Sequence, residues 1–455
     1  MNKFFKFIKN KLGIDKAIAY SSGARIIQAF TGVISIFFIA TFLTKEEQGF
    51  YYTFGSLLAI QVFFELGLTG ILTQYVAHES AHLKIYENGN IEGEIKYRSR
   101  LASLIHFSVK WYGVIACLFL CVVIILGFTF FNEYAQRDIS ISWRIPWVLI
   151  CLGSAIKLFQ APFTSILMGL GKVKEMSKIG FYQQIILPLA SWTGLLCGFK
   201  LYIVGVSSIL SVLIWNIYIA KTNQQKILLN LWKENITEKV SYMKEIFPYQ
   251  WRIALSWVSG YFIFQLFNPV LFATEGAIVA GQMGMTLTVL NAIQALSLSW
   301  LSTKIPLYSQ FIALKNYTQL DKMFNITLKQ MTSVCFTLLL IMFIGVWFLR
   351  IFKIGFDGNL LGDRFLDYLP MLLMMIPLFI NQFVTSWATY LRCHKQEPFL
   401  INSICAGIAC LLSTLILGNN FGLYGITIGY CCITIAFLPW GYWIYKTKKT
   451  EWHGK

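Results

Sequence analysis

Charge is scarce in this chain. Asp, Glu, Lys and Arg make up 13% of its 455 residues, where a soluble protein carries about 25%. A soluble globular fold is therefore excluded. Negative charge is scarcer still: 21 acidic residues stand against 38 basic ones, for a net charge of +17. Histidine is rare, and of the five present only His106 falls close to an apolar run, too little for a proton relay. The ten cysteines are scattered. Most lie inside apolar runs (Cys117, Cys121, Cys151, Cys335, Cys431 and Cys432 among them), and none has metal-ligand spacing. They read as small apolar helix residues, and no metal or cofactor is expected. No polar stretch is long enough for a soluble catalytic domain. Met1 to Lys16 is basic and polar, and the apolar run after it is too long for an h-region. No cleavable signal peptide is expected.

What the chain does have is long apolar runs. It is 56% hydrophobic, with a mean hydropathy of +0.61. A bilayer-spanning helix needs about 20 apolar residues. Twelve such segments can be counted, at about 17–43, 50–77, 108–131, 145–169, 180–198, 201–220, 250–272, 278–303, 326–351, 367–391, 399–417 and 421–445. Only Gly198-Phe199-Lys200 parts the fifth from the sixth. The sequence predicts an all-α polytopic membrane protein with twelve transmembrane helices. With the N-terminus placed in the cytoplasm, the inner segments hold 29 Lys and Arg and the outer loops seven. That asymmetry puts both termini in the cytoplasm. The positive charge accounts for orientation and for attraction to anionic membrane lipid, and no nucleic-acid partner is inferred from it.

The chain also reads as two related halves. A shift of 221 sets Phe159-Gln160 on Ile380-Asn381, Thr164-Ser165 on Thr385-Ser386, Leu170 on Leu391 and Lys174 on Lys395. A slightly different offset sets Leu201-Tyr202 on Leu423-Tyr424. The seventh segment repeats the theme of the first, with Arg252 near its start and Ser256 and Ser259 following. Two six-helix repeats in one orientation imply pseudo-symmetric lobes around a central cavity. The expected division is an N-terminal lobe at 1–220, a cytoplasmic linker at 221–249 and a C-terminal lobe at 250–455. The inner loop at 78–107 is expected to be partly helical.

The first hairpin carries the most information. Its first helix bears Ser21, Arg25, Gln28, Gly32 and Ser35, and steps of three and four place these on one face. Its second helix carries a carboxylate, Glu65, in Phe64-Glu65-Leu66-Gly67-Leu68. A charge inside a bilayer-length helix costs about 2.5–3.5 kcal/mol on insertion scales, so it faces a cavity or a partner. Ala40-Thr41-Phe42-Leu43-Thr44-Lys45-Glu46-Glu47-Gln48-Gly49-Phe50-Tyr51 resembles the first-loop pattern of the polysaccharide transporter family, A-x-x-L-[GT]-x-E-x-x-G-x-Y. Phe64 to Leu68 resembles the acidic-x-Gly-Leu segment that ends the family's second helix, where Asp is commoner. Gly169-Leu170-Gly171-Lys172 resembles the turn after its fourth helix. The family belongs to the multidrug/oligosaccharidyl-lipid/polysaccharide flippase superfamily, and Wzx-type O-antigen flippases are the nearest in look.

The resemblance implies a substrate: an undecaprenyl-diphosphate-linked oligosaccharide, moved from the cytoplasmic to the periplasmic leaflet of a bacterial inner membrane. It also implies a polysaccharide polymerase and a chain-length regulator as partners. A diphosphate with sugars cannot cross hydrocarbon unaided, and Arg and Lys suit its phosphates. Three cations are candidates. Arg25, with Gln28 beside it, lies about 12 Å from the inner edge and either faces a cavity or snorkels. Lys157 lies mid-helix with Gln160 and Thr164 expected on its face. Arg252, a few residues inside its span, fits either role. Glu65 and Lys157 fall at similar depth and are expected to reach each other. Their pair either neutralises itself or makes Glu65 an ion-coupling site that frees Lys157 for phosphate. In the second half, Asn291, Gln294, Asn381 and Thr385 are neutral candidates for sugar hydroxyls, with Trp300 or Trp387 as platforms, although helix–helix bonding is the commoner role. One rival is a multidrug or cation antiporter of the same superfamily. Another is a membrane-embedded polysaccharide polymerase or acyltransferase, which short outer loops and the lack of an in-membrane His or carboxylate cluster disfavour.

Overall fold

The computed structural model describes residues 16–86, 89–135, 141–356, 359–394 and 396–453. The side chains at 16–19, 21–26, 29, 33, 249, 252, 256, 306 and 313 lie outside that description. Helix dominates. A backbone in hydrocarbon must satisfy its own polar groups, and a helix does so within one segment. Among the described residues, eight helices are long and apolar enough to cross a membrane, or nine when one bent pair counts as a span. The chain is an all-α polytopic membrane protein. Its outward apolar stripes agree with this: Val114, Leu118, Val122 and Ile125 are each 39–63% exposed along one helix. Such a stripe is a liability in water and an ordinary surface in lipid.

The chain forms two compact units. The first is built mainly from Ile60–Glu133 and the helices that follow as far as Trp257; the second takes Ile39–Ala59 and everything from Val258. These units group the chain by packing and not by repeat, so they cut across the expected bounds of 1–220 and 250–455.

Unit 1 contains most of α1 (Lys16–Phe42), then α3 (Leu68–Ser80), α4 (Ile95–Tyr134), α5 (Arg144–Gly169), α6 (Val173–Leu196) and α7 (Tyr202–Lys221). The expected junction between the fifth and sixth segments holds: Gly198 and Lys200 take positive φ, and the helices part there. The loop at 78–107 is partly helical, as expected, and also holds a strand pair between its helical ends. Leu83–Ile85 (β1) pairs antiparallel with Ile91–Gly93 (β2), and α4 then runs 40 residues. The 221–249 stretch contains a short helix, α8 (Gln224–Lys233), and its remainder is strapped across the start of α4. Ser99 Oγ accepts from Thr237 N and Glu238 N, both at 2.7 Å. Ser103 Oγ accepts from Val240 N at 3.0 Å. Arg100 joins buried Glu79 of α3 (2.9 Å) to Glu245 (2.7 Å).

Unit 2 contains α2 (Lys45–Leu58), then α9 (Phe247–Phe264) from Val258 onward, α10 (Phe267–Glu275), α11 (Ala277–Ala313), α12 (Tyr317–Ile351), α13 (Tyr368–Arg392) and α14 (Leu400–His453). A two-residue hairpin, Gly355–Phe356 (β3) with Asn359–Leu360 (β4), precedes α13. The seventh segment breaks after Phe264, where Pro269 supplies no N–H for the Gln265 carbonyl. The last two segments are one helix kinked at Gly422, whose φ is +55°. Leu423 N donates there to the Glu275 carboxylate.

The first-loop motif proves to be architectural. Thr44 and Glu47 form a reciprocal capping box at the start of α2, which satisfies two orphan N–H groups. Gly49 lets α2 meet α11 backbone to backbone: a Cβ there would stand 1.9 Å from the Ala277 carbonyl oxygen. Buried Gln48 donates to the Gly281 carbonyl at 2.8 Å. Arg364, 1% exposed, donates to the Leu43 carbonyl at 2.6 Å and to Gln48 Oε1 at 3.3 Å. Burial pushes its pKa down, opposed by the carboxylates of Glu46, Glu47 and Asp363.

Candidate functional site

The acidic-Gly-Leu motif sits on a break. The expected single helix at 50–77 is instead α2, a 3-10 turn, a one-turn helix Val62–Glu65 and α3. Leu66 and Gly67 are both left-handed, with φ of 49° and 69°, and the two arms bend by 44°. Gly67 suits this conformation and lies against Ile253. Glu65 therefore ends a helix inside an apolar segment, where broken helices of transporters place their ion and substrate sites. The Thr69 hydroxyl donates to Glu65 Oε1. Phe64 packs edge-on against Phe119 of α4 at 5.4 Å. Tyr112 of the same helix lies within electrostatic range of Glu65, and its hydroxyl is buried without a hydrogen-bond partner.

The expected Glu65–Lys157 contact is absent. Among the described residues, no carboxylate lies within ion-pair distance of Lys157, which is exposed at the middle of α5. The break at Leu66 turns Glu65 toward α4. The shared face expected of Lys157, Gln160 and Thr164 also separates. Gln160 is buried and its amide donates to the Val212 carbonyl of α7 at 3.4 Å. Thr164 Oγ1 accepts from Trp215 Nε1 at 3.0 Å. These two hold α5 to α7, and Lys157 is left alone on the open side. Gln28 is exposed on α1. Ser35, further along the stripe, accepts from Trp192 Nε1 at 3.0 Å. The side chains of Arg25 and Arg252 lie outside the described residues.

In unit 2 three of the four neutral candidates meet; Thr385 lines neither cleft. Asn291, Gln294 and Asn381 line one narrow cleft with Tyr430. Asn381 Nδ2 donates to the Tyr430 hydroxyl at 3.1 Å. Free volume there is 20 Å³, about enough for a single water. A neighbouring cleft of 120 Å³ adds Asn402, Ser403 and Thr434. Trp387 is no platform: it is 8% exposed and stacks on Tyr445 at 5.7 Å. Gln382 beside Asn381 is fully buried, and neither end of its amide is bonded. The sequence carried no cue to Gln382 or Tyr430 beyond their place on helices.

No family model and no curated protein matches the chain. Solved structures do. An inward-facing multidrug resistance MATE family transporter of the MOP superfamily aligns with a TM-score of 0.63 at 12% identity, covering 94% of this chain and 98% of that one. The Vibrio cholerae MATE transporter VcmN, in a variant form, aligns at 0.55 with 11% identity, covering 97% and 98%. The lipid II flippase MurJ aligns at 0.52 with 14% identity, covering 94% and 87%. This chain has the fold of the MOP-superfamily transporters. The likeness extends over almost the whole chain and is one of fold.

Proposed function

We propose that the chain is a twelve-span transporter that flips an undecaprenyl-diphosphate-linked oligosaccharide across a bacterial inner membrane by alternating access. Twelve spans follow from the nine when α14 is divided at Gly422 and when α1 and α6, of 27 and 24 residues, are counted as crossing. The basic loops place both termini in the cytoplasm.

The observation that carries the substrate reading is Lys157. A lysine near the middle of a 26-residue helix is about 20 Å from either end, too far to snorkel fully. With no carboxylate beside it, its ammonium calls for water or an anionic ligand. A diphosphate head group supplies that anion. Arg25, Arg252 and Gln28 are proposed to join it. Asn291 and Asn381 are proposed as sugar contacts, and Glu65, on its helix break, as the ion-coupling group. Gln160 and Thr164 contribute indirectly, by fixing α5 against α7.

A second reading is favoured by the greater likeness to the multidrug transporter than to the lipid II flippase. In it the chain exports organic cations against an ion gradient, with Glu65 as the exchanging carboxylate. Liposomes decide between them. Fluorescent undecaprenyl-diphosphate oligosaccharide should reach the opposite leaflet with wild type and fall at least tenfold with Lys157→Met. Uptake of a cationic dye that survives Lys157→Met and fails with Glu65→Gln would establish the antiporter instead.

A further inference from the structure

One end of unit 2 is built where the start of α12 meets the ends of α13 and α14. Its hydrogen bonds permit a count of protons. Tyr390, fully buried, donates its hydroxyl proton to Asp321 Oδ1 at 2.6 Å. Lys449 Nζ lies 2.9 Å from its other oxygen. With its only proton committed, the Tyr390 hydroxyl offers lone pairs alone to His453 Nδ1 at 3.4 Å. A proton on His453 Nδ1 suits that contact. His394 Nδ1 faces the Tyr390 carbonyl at 3.2 Å, and a carbonyl only accepts. His394 Nδ1 carries a proton as well. The two remaining nitrogens, His394 Nε2 and His453 Nε2, face each other at 3.0 Å. With both Nδ1 atoms protonated, two Nε2 lone pairs so close repel unless a cation lies between them.

The separation selects the cation. Zinc binds imidazole at about 2.0–2.1 Å, and tetrahedral angles then hold two ligands about 3.3 Å apart. A hydrogen bond with a nitrogen donor has its mode near 2.9–3.0 Å. We propose that His394 and His453 form a proton-binding site, an imidazole–imidazolium pair that holds one proton between its Nε2 atoms and clamps the last turn of α14 to the end of α13.

The surroundings fit a single extra charge. From α12, Asp321 supplies the balancing carboxylate and Tyr317 stacks on the His453 ring at 3.9 Å. From α13, Tyr390 orients both rings, and the nearby Arg392 is already paired with Glu397 at 2.7 Å. From α14, Lys449 opposes a further positive charge, and Trp452 lies 4.8 Å from His394. Burial lowers the pKa of His394, against the Tyr390 carbonyl that raises it, and two added protons would set like charges together. The clamp accordingly closes within a pH window. Below it, a fourth proton sets N–H against N–H. Above it, the shared proton leaves and lone pair meets lone pair. The site rests on unit 2 alone and stands whichever substrate is carried.

The test is a ¹⁵N titration of histidine-labelled full-length protein in lipid nanodiscs between pH 5 and 9. With five histidines in the chain, His394→Gln and His453→Gln assign the two signals. In wild type both Nε2 signals should move together in one step. In either single variant the remaining ring should give up its proton at least one pH unit lower, a tenfold loss of affinity. Tyr390→Phe, which removes the group that fixes the His453 tautomer, should lower the shared step as well. Rings that titrate independently, at the same pH with and without their partner, would overturn the proposal. So would Nε2 signals that collapse on adding equimolar zinc at neutral pH, since a metal would then be the natural occupant.

Discussion

Gly49 and Gly55 lie on the same helix, α2, and make a paired experiment. Both change a helical glycine to alanine and gain helix propensity, about 0.5–1 kcal/mol each. Their surroundings differ completely. A Cβ at Gly55 meets nothing within 4 Å. At Gly49 it would stand 1.9 Å from the Ala277 carbonyl oxygen, 2.6 Å from its carbon and 2.8 Å from its Cα. All three are backbone, so no rotamer change relieves them, and Gly281 of α11 crosses at the same point. The two helices must part by about 1 Å. Overpacking costs about 1–3 kcal/mol, and a backbone-on-backbone clash belongs at the upper end. Separation would also stretch the Gln48–Gly281 bond of 2.8 Å, worth about 1 kcal/mol. Net of propensity, Gly49→Ala should cost about 2–3 kcal/mol, while Gly55→Ala is neutral or stabilising. For a unit of about 200 residues, 1 kcal/mol shifts Tm by about 2–4 °C. The Gly49 variant should melt about 4–12 °C lower in detergent, and the Gly55 variant no lower than wild type. Equal melting of the two would refute the close crossing of α2 and α11.

Arg100→Leu should destabilise unit 1 by about 3–5 kcal/mol, because it leaves Glu79, 3% exposed, as an uncompensated buried charge. Amide exchange at 237–245 should rise with it, and Glu79→Gln added to Arg100→Leu should recover part of the loss. Strap stability should also depend on pH. Burial raises the Glu245 pKa, but the Ser241 N–H and Arg100 outweigh it and hold the folded value below the ordinary one. The contribution is then complete above the ordinary carboxylate range and lost as pH falls through the lower folded value. Protection of 240–245 that instead weakens between pH 6 and 8 would contradict that sign.

Membrane class and the helical segments were legible because hydrocarbon imposes one rule on every residue of a span. Length and apolarity alone locate such segments. Breaks were not legible. Leu66 shows why: nothing in its own chemistry asks for a positive φ, and the Ile253 against which Gly67 lies is far along the chain. The cross-chain straps were equally hidden. Ser99 and Ser103 read as ordinary helix serines, and their partners lie more than 130 residues away. Arg364 entered the sequence argument only as one positive charge in an outer loop. Its burial depends on Leu43 and Gln48, over 300 residues earlier. The motifs that carried the family resemblance turned out to encode a helix cap, a helix crossing and a helix break. Such features serve any cargo, which is why they reach a superfamily fold and stop short of a substrate.

Discrimination therefore falls to the two charges inside the spans, and their independence can be measured. Glu65 turns toward α4 and Lys157 stands alone on α5, so the described geometry gives them no shared partner. Effects of mutations at uncoupled sites add to within about 0.3–0.5 kcal/mol, whereas residues in contact show coupling of about 0.5–3 kcal/mol. A cycle of Glu65→Gln, Lys157→Met and the double variant, read by thermal unfolding, should then be additive. Lys157→Met alone should not lower stability, since an apolar side chain replaces a charge inside a span. The same cycle read by transport has a different expectation. If Glu65 couples an ion to release of an anion held at Lys157, the double variant should be no slower than Lys157→Met alone, because removing the anion site makes its coupling group irrelevant. Additivity in stability with non-additivity in transport would show that the two residues act through the substrate. Strong coupling in stability would refute the separation, because it would require the two charges to meet in a conformation that the protein populates.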